Sequence, residues 1–174
     1  MIGRSATFSD DRMYRYTLTR TWDDRLPPLV IIGLNPSTAD ETTDDPTIRR
    51  CIGFARREGM GSLVMLNLFA FRCADPRKMK TAPHPVAPKY DPHANDAALV
   101  HAIVGKPGWQ PLVVAAWGVH GGFRQRDAIV RRLIADRSAM LRSSALHCFG
   151  ITKEGYPKHP LYLPRDTQIV EFAA

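Results

Sequence analysis

The chain has 174 residues, 44% of them hydrophobic and 24% charged, with a net charge of +7. That is room for one domain with a real core, read as a single unit over residues 1–174, and it excludes a disordered or fibrous chain. No apolar run reaches membrane-spanning length, and Cys51, Cys73 and Cys148 lack metal-ligand spacing, so the expectation is a cytoplasmic monomer with reduced thiols and no cofactor.

Tyr14–Trp22 partly alternates and is rich in aromatic and β-branched residues, which predicts an early strand. Leu29–Leu34 is continuously apolar, as a parallel strand covered on both faces should be. It runs into Gly33-Leu34-Asn35-Pro36-Ser37, where the proline must end strand pairing and leave Asn35 displayed at the carboxyl edge. In open α/β sheets ligands sit at that edge. The stretch that follows carries Asp40, Glu41, Asp44 and Asp45. A magnesium ion uses such carboxylates, but helix capping by Asp45 and loop solvation are the expected roles here. Asp45-Pro46 then opens a helix with Ile48, Cys51, Ile52 and Ala55 on one stripe and Gly59 to stop it.

Leu63–Leu68 is the second buried strand, interrupted by a polar Asn67. Residues 72–91 are rich in proline and lysine and read as a long surface loop. Asp75-Pro76 and Asp91-Pro92 repeat the cap-and-proline signal, the second opening a helix through Val104. Leu112–Ala116 is a third strand. Gly118, Gly121 and Gly122 follow it, before a helix from about Phe123 to Asp136. Free amides there could hold a phosphate, but the spacing fits neither a Walker nor a dinucleotide fingerprint, so a tight turn is expected. Ala145–Phe149 is the fourth strand, and residues 167–172 predict an edge strand. Strands alternating with helices imply a three-layer α/β/α sandwich with a mainly parallel central sheet.

Three strand ends then carry polar residues that a parallel sheet would bring to one side. A buried asparagine is costly unless its amide has partners, and both a base edge and a nearby loop backbone can supply them. Two arginine clusters, Arg49, Arg50, Arg56 and Arg57, then Arg124, Arg126, Arg131 and Arg132, fit phosphate-bearing partners or solvated helix faces.

The motifs GLNPS, VMLNLFAFR, VVAAWG and KHPLYLP, taken in order, resemble those of the uracil-DNA glycosylase superfamily. The longer pattern, with NPSTADETTDDPTIRRC and GITKEGYPKHPLY, resembles a bacterial and phage family of unassigned function, domain of unknown function 1643. The glycosylase resemblance implies a glycosylase-like fold in which Asn35 positions water, Asn67 reads the base edge and His159 stabilises the departing base. Gly33 and Pro36 would flank the base. Ser37, Lys153 and Lys158 would meet nucleic acid, and Leu163 would wedge into a duplex. Leu161 and Tyr162 replace the proline-serine pair of that superfamily, and no tyrosine follows Pro36. An asparagine in the first motif orients water but cannot accept its proton. The expected partner is nucleic acid, DNA above all, or a nucleotide, with N-glycosidic cleavage as the implied chemistry and no metal. A non-catalytic nucleic-acid-binding module and an enzyme acting on free nucleotides stay open beside it.

Overall fold

Four apolar runs form the centre of one sheet in the computed structural model, which describes residues 3–105, 110–141 and 145–172. The strands are β1 (Gly3–Phe8), β2 (Arg15–Thr21), β3 (Pro28–Gly33), β4 (Ser62–Asn67), β5 (Leu112–Ala115), β6 (His147–Cys148) and β7 (Val170–Glu171). Their order is β1-β2-β4-β3-β5-β6-β7. The central β4-β3-β5-β6 pairings are all parallel, as expected, while β1, β2 and β7 pair antiparallel at the flanks.

Strand order decides where the helices go. From β3 the chain passes through α1 (Pro46–Arg57) to β4 on one side. It then returns through α2 (Pro76–Thr81) and α3 (Ala94–Val104) to β5 on the other side of β3. Right-handed crossovers in opposite directions put their helices on opposite faces. Leu29 and Ile31 accordingly pack with Ile48, Cys51 and Phe54 of α1. Val30 and Ile32 pack with Leu99 and Ile103 of α3 and with Val130 and Ile134 of α4 (Arg126–Leu141). The same reversal leaves a crevice at the carboxyl ends of β3 and β5, where the chain departs in two directions.

Several elements differ from the sequence reading. β1 was not foreseen, because GRSATF is largely exposed at the sheet edge and carries no apolar alternation. Residues 72–91 are not wholly a surface loop: α2 forms there on the Asp75 cap, and Met79, Ala82 and Ala87 are buried. α3 begins at Ala94 rather than at Pro92. The helix expected from Phe123 starts later, because Phe123 is extended and Arg124 left-handed, so that α4 opens at Arg126 after a 3-10 stretch. The fourth central strand shrinks to His147–Cys148. Gly121 and Gly122 have a packing reason, since a Cβ would collide with the Trp117 ring at the first and the Tyr156 hydroxyl at the second.

Two arginines of β2 anchor the loop between β3 and α1. Arg15 donates to the Ala39 carbonyl at 2.8 Å. Arg20 donates to the Asp44 carboxylate at 2.8 Å and to the Asp40 carbonyl at 2.5 Å. Each acidic residue of that loop has a local partner. Asp40 accepts from the Thr42 and Thr43 amides, which hold its carboxyl down at about 2; Glu41 pairs with Arg12, and Asp45 accepts from the Ile48 amide as the α1 cap. Among the described residues no cluster of acidic, cysteine or histidine side chains is arranged to hold a metal ion. No helix among them is long and apolar enough to cross a membrane.

The Arg20 side chain is 0% exposed and that of Asp44 13%. Removing Asp44 strands a buried cation, so Asp44→Ala should lower stability by about 3 kcal/mol, read as a lower urea midpoint at unchanged slope. Glu41→Gln, which breaks an exposed pair, should leave that midpoint almost unchanged.

Candidate functional site

At the carboxyl ends of the parallel strands lies a cavity of about 670 Å³. Each central strand contributes to its lining: Gly33, Asn35 and Ser37 after β3, Asn67 and Cys73 after β4, Trp117 and Gly118 after β5, and Thr152, Lys158 and His159 after β6. Motifs separated by more than a hundred residues therefore meet in one concavity.

Asn67 ends β4 and is 1% exposed, yet neither its amide nitrogen nor its amide oxygen has a hydrogen-bond partner among the described residues. Its backbone, in contrast, is held firmly. Asn95 of α3 donates to the Asn67 and Leu68 carbonyls, both at 3.1 Å, and Arg126 donates to the Leu68 carbonyl at 2.9 Å while pairing with Asp96. The Leu68 amide donates to the Gly33 carbonyl at 2.9 Å. Gly33 lies opposite Asn67 in the parallel register, and a Cβ there would sit 3.0 Å from the Asn67 amide oxygen and 2.6 Å from the Met65 methyl. Glycine at position 33 thus leaves room beside the unpaired amide.

The Asn35 amide is oriented by its surroundings. Its nitrogen donates to the Cys73 carbonyl at 2.8 Å and the Pro36 carbonyl at 3.1 Å. That arrangement fixes which end is oxygen, and the oxygen is left as an acceptor for a ligand or water. Pro36 itself is buried and supplies loop carbonyls without lining the cavity. Burial pushes the neighbouring Cys73 thiol above its ordinary value, so it is no thiolate nucleophile at neutral pH.

His159 stands at the rim, exposed on one side. Its Nδ1 accepts from the Leu161 amide across 3.4 Å, which places the proton of the neutral ring on Nε2. Desolvation lowers its pKa, while the negative charge of Asp45 acts the other way. The ring is therefore a neutral hydrogen-bond donor at physiological pH.

Of the remaining expected residues, Ser37, Lys158 and Leu163 line the cavity, whereas Lys153 lies on an exposed turn outside it. Leu163 is half-buried and packs on the α1-side core, so it does not project as a wedge. Two lining residues escaped the sequence reading as site groups. Asp45, taken as a helix cap, is the lone carboxylate among the described residues that line the cavity. One of its oxygens caps Ile48; among the described residues no hydrogen bond engages the other. Arg15 is buried with its Nε unpaired and makes no ion pair among the described residues; burial brings its guanidinium down to about 10, still a cation at neutral pH. An arginine inside an otherwise aromatic and β-branched strand was the available signal.

The second arginine cluster does not form one face: Arg126 is buried in the network under Leu68, and Arg131 lies over Phe172. In the first, Arg56 stacks on Trp22, while Arg49, Arg50 and Arg57 remain on the open side of α1.

Residues 15–161 match the family model described as Protein of unknown function (DUF1643). The chain belongs to that family. The match begins at the β2 arginine that lines the cavity and ends two residues beyond His159, so it spans the site almost entirely. No curated protein and no solved structure matches the chain.

The ring titration of His159 tests this geometry. Followed by NMR, its midpoint should fall below the ordinary value near 6.5, and Asp45→Asn should move it lower still, because a stabilising negative charge is lost. A midpoint indifferent to Asp45→Asn would separate the two residues.

Proposed function

We propose that this protein recognises a single nucleobase carried in nucleic acid and hydrolyses the N-glycosidic bond that attaches it, with a uracil-DNA-glycosylase-like fold. The observation that carries this reading is the unpaired amide of Asn67, fully buried at the cavity where all four parallel strands end. An amide offers a donor and an acceptor side by side, which matches the paired donor and acceptor edge of a base. Burying both without partners costs about 1–3 kcal/mol for each group, a cost that a bound base would relieve.

The other residues then fall into roles. A water accepted on the Asn35 amide oxygen is oriented toward the sugar anomeric carbon. As the carbon–nitrogen bond breaks, its electron pair leaves with the base, and a hydrogen bond from His159 Nε2 to a base oxygen stabilises the charge that develops there. The water oxygen bonds the anomeric carbon, and its proton passes to the free oxygen of Asp45, which Asn35 could not replace as an acceptor. That proton ultimately returns to the departed base, so the products are the free base and an abasic sugar. A base within a duplex must first leave the stack.

The test is a screen of oligonucleotides carrying damaged or modified bases, scored for binding and for abasic sites by alkaline cleavage. On the preferred base, Asn67→Ala should weaken binding by about 1–3 kcal/mol or erase base preference. His159→Ala and Asp45→Asn should each slow cleavage by about a hundredfold or more with binding nearly intact. Base-selective binding without abasic sites on any substrate would leave a non-catalytic recognition module.

A further inference from the structure

A second groove of about 670 Å³ adjoins the central cavity and shares Pro46 and Leu161 with it. Four arginines surround it: Arg49, Arg50 and Arg57 from α1, and Arg165 from the segment that follows the His159 motif. Only Arg57 pairs with a carboxylate, that of Glu58; the other three make no ion pair among the described residues. Arg49 and Arg57 stand two turns apart on one helix face with Gly53 midway between them. A glycine inside a helix costs about 1 kcal/mol relative to alanine. No packing reason offsets that here, because a Cβ on Gly53 would meet nothing within 4 Å. Its effect is to keep the groove floor open between two cations. Tyr162, next in the chain to Leu161, is 89% exposed and presents a flat aromatic face on the segment shared with the cavity.

We infer that this groove is a phosphate subsite, which holds the backbone of a polynucleotide strand whose target base occupies the central cavity. The inference rests on the base-recognition reading and adds the substrate class: a strand, not a free nucleotide. Cations with no carboxylate partner are what a phosphodiester chain neutralises, with release of its counterions. The cavity and the groove are each of a size to hold a drug-sized ligand, so together they exceed one nucleotide. The exposed face of Tyr162 suits stacking of the neighbouring base, a contact that tolerates any sequence.

The experiment measures binding of a short fluorescein-labelled single-stranded DNA by anisotropy across a salt series, with the four deoxynucleoside monophosphates as competitors. The double variant Arg50→Gln/Arg165→Gln should weaken binding about tenfold or more and make the salt slope shallower by about 1.4, roughly 0.7 for each phosphate contact to a single strand. Gly53→Leu keeps every charge and replaces glycine with a better helix former, so it retains the fold; it should weaken binding by filling the groove. Tyr162→Ala should cost about tenfold. The monophosphates should compete poorly. Wild-type affinity and slope in the double variant, or full competition by monophosphates, would overturn the subsite. The two readings fail separately: base preference that survives Asn67→Ala counts against the base pocket, whereas affinity that survives the arginine variants counts against the groove alone.

Discussion

Polar groups buried inside a small protein must find partners, and the way this chain meets that demand organises the molecule. Arg20 is enclosed completely and satisfied by the Asp44 carboxylate and three backbone carbonyls. Asn95 and Arg126 direct their donors at the carbonyls that close β4. Asn67, held by that network through its backbone, differs from them among the described residues: both polar atoms of its amide lack a partner, whereas at Asn95 and Arg15 a single atom does. On the proposed reading, a hydrogen-bonded backbone and an unpaired side chain make Asn67 a recognition group set in advance, so a ligand would pay little in ordering entropy on binding.

Topology explains why the groups around Asn67 are so distant in sequence. The chain leaves β3 toward β4 and later crosses to β5, which opens the crevice and splits the helices between the two faces. Each central strand needs only one or two polar residues at its carboxyl end for a composite site to assemble. The loop from β3 to α1 contributes Asn35, Ser37 and Asp45, and it is fixed from beneath by Arg15 and Arg20. Such anchoring matters because a misplacement of about 1 Å at reacting groups is enough to cost a hundredfold in rate.

Much of this architecture was legible from the sequence. Runs such as Leu29–Ile32 and Leu63–Leu66 are apolar at every position because both faces of a central strand are covered. The same logic hid β1, whose residues face solvent at an edge and so carry no pattern. Of the site, Asn35, Asn67 and His159 stood out as polar residues at predicted strand ends, and all three line the cavity. Asp45 and Arg15 did not, for a physical reason. Each has a conventional local explanation, a helix cap in one case and a strand charge in the other, and only tertiary packing shows that the same atoms also border the cavity. Leu163 shows the converse: the resemblance has it project from the surface, whereas packing half-buries it against the α1-side core and leaves the adjacent Tyr162 in solvent.

The two duties of Asp45 bear on how the proposed chemistry is organised. As the α1 cap it is held by the Ile48 amide at 2.8 Å, which fixes the carboxylate plane and places it against the positive end of the helix dipole. In the proposed reaction the glycosidic bond is largely broken before water commits, so that the water attacks an electron-poor centre and loses its proton late. Under that ordering the demanding step is the departure of the base, and the burden falls on Asn67 and on the neutral His159 ring. Both are fixed through the backbone network and the Leu161 amide rather than through any charge of their own. On that proposal a carboxylate at position 35 is not required, and the residues that would determine the rate are those that hold the leaving base.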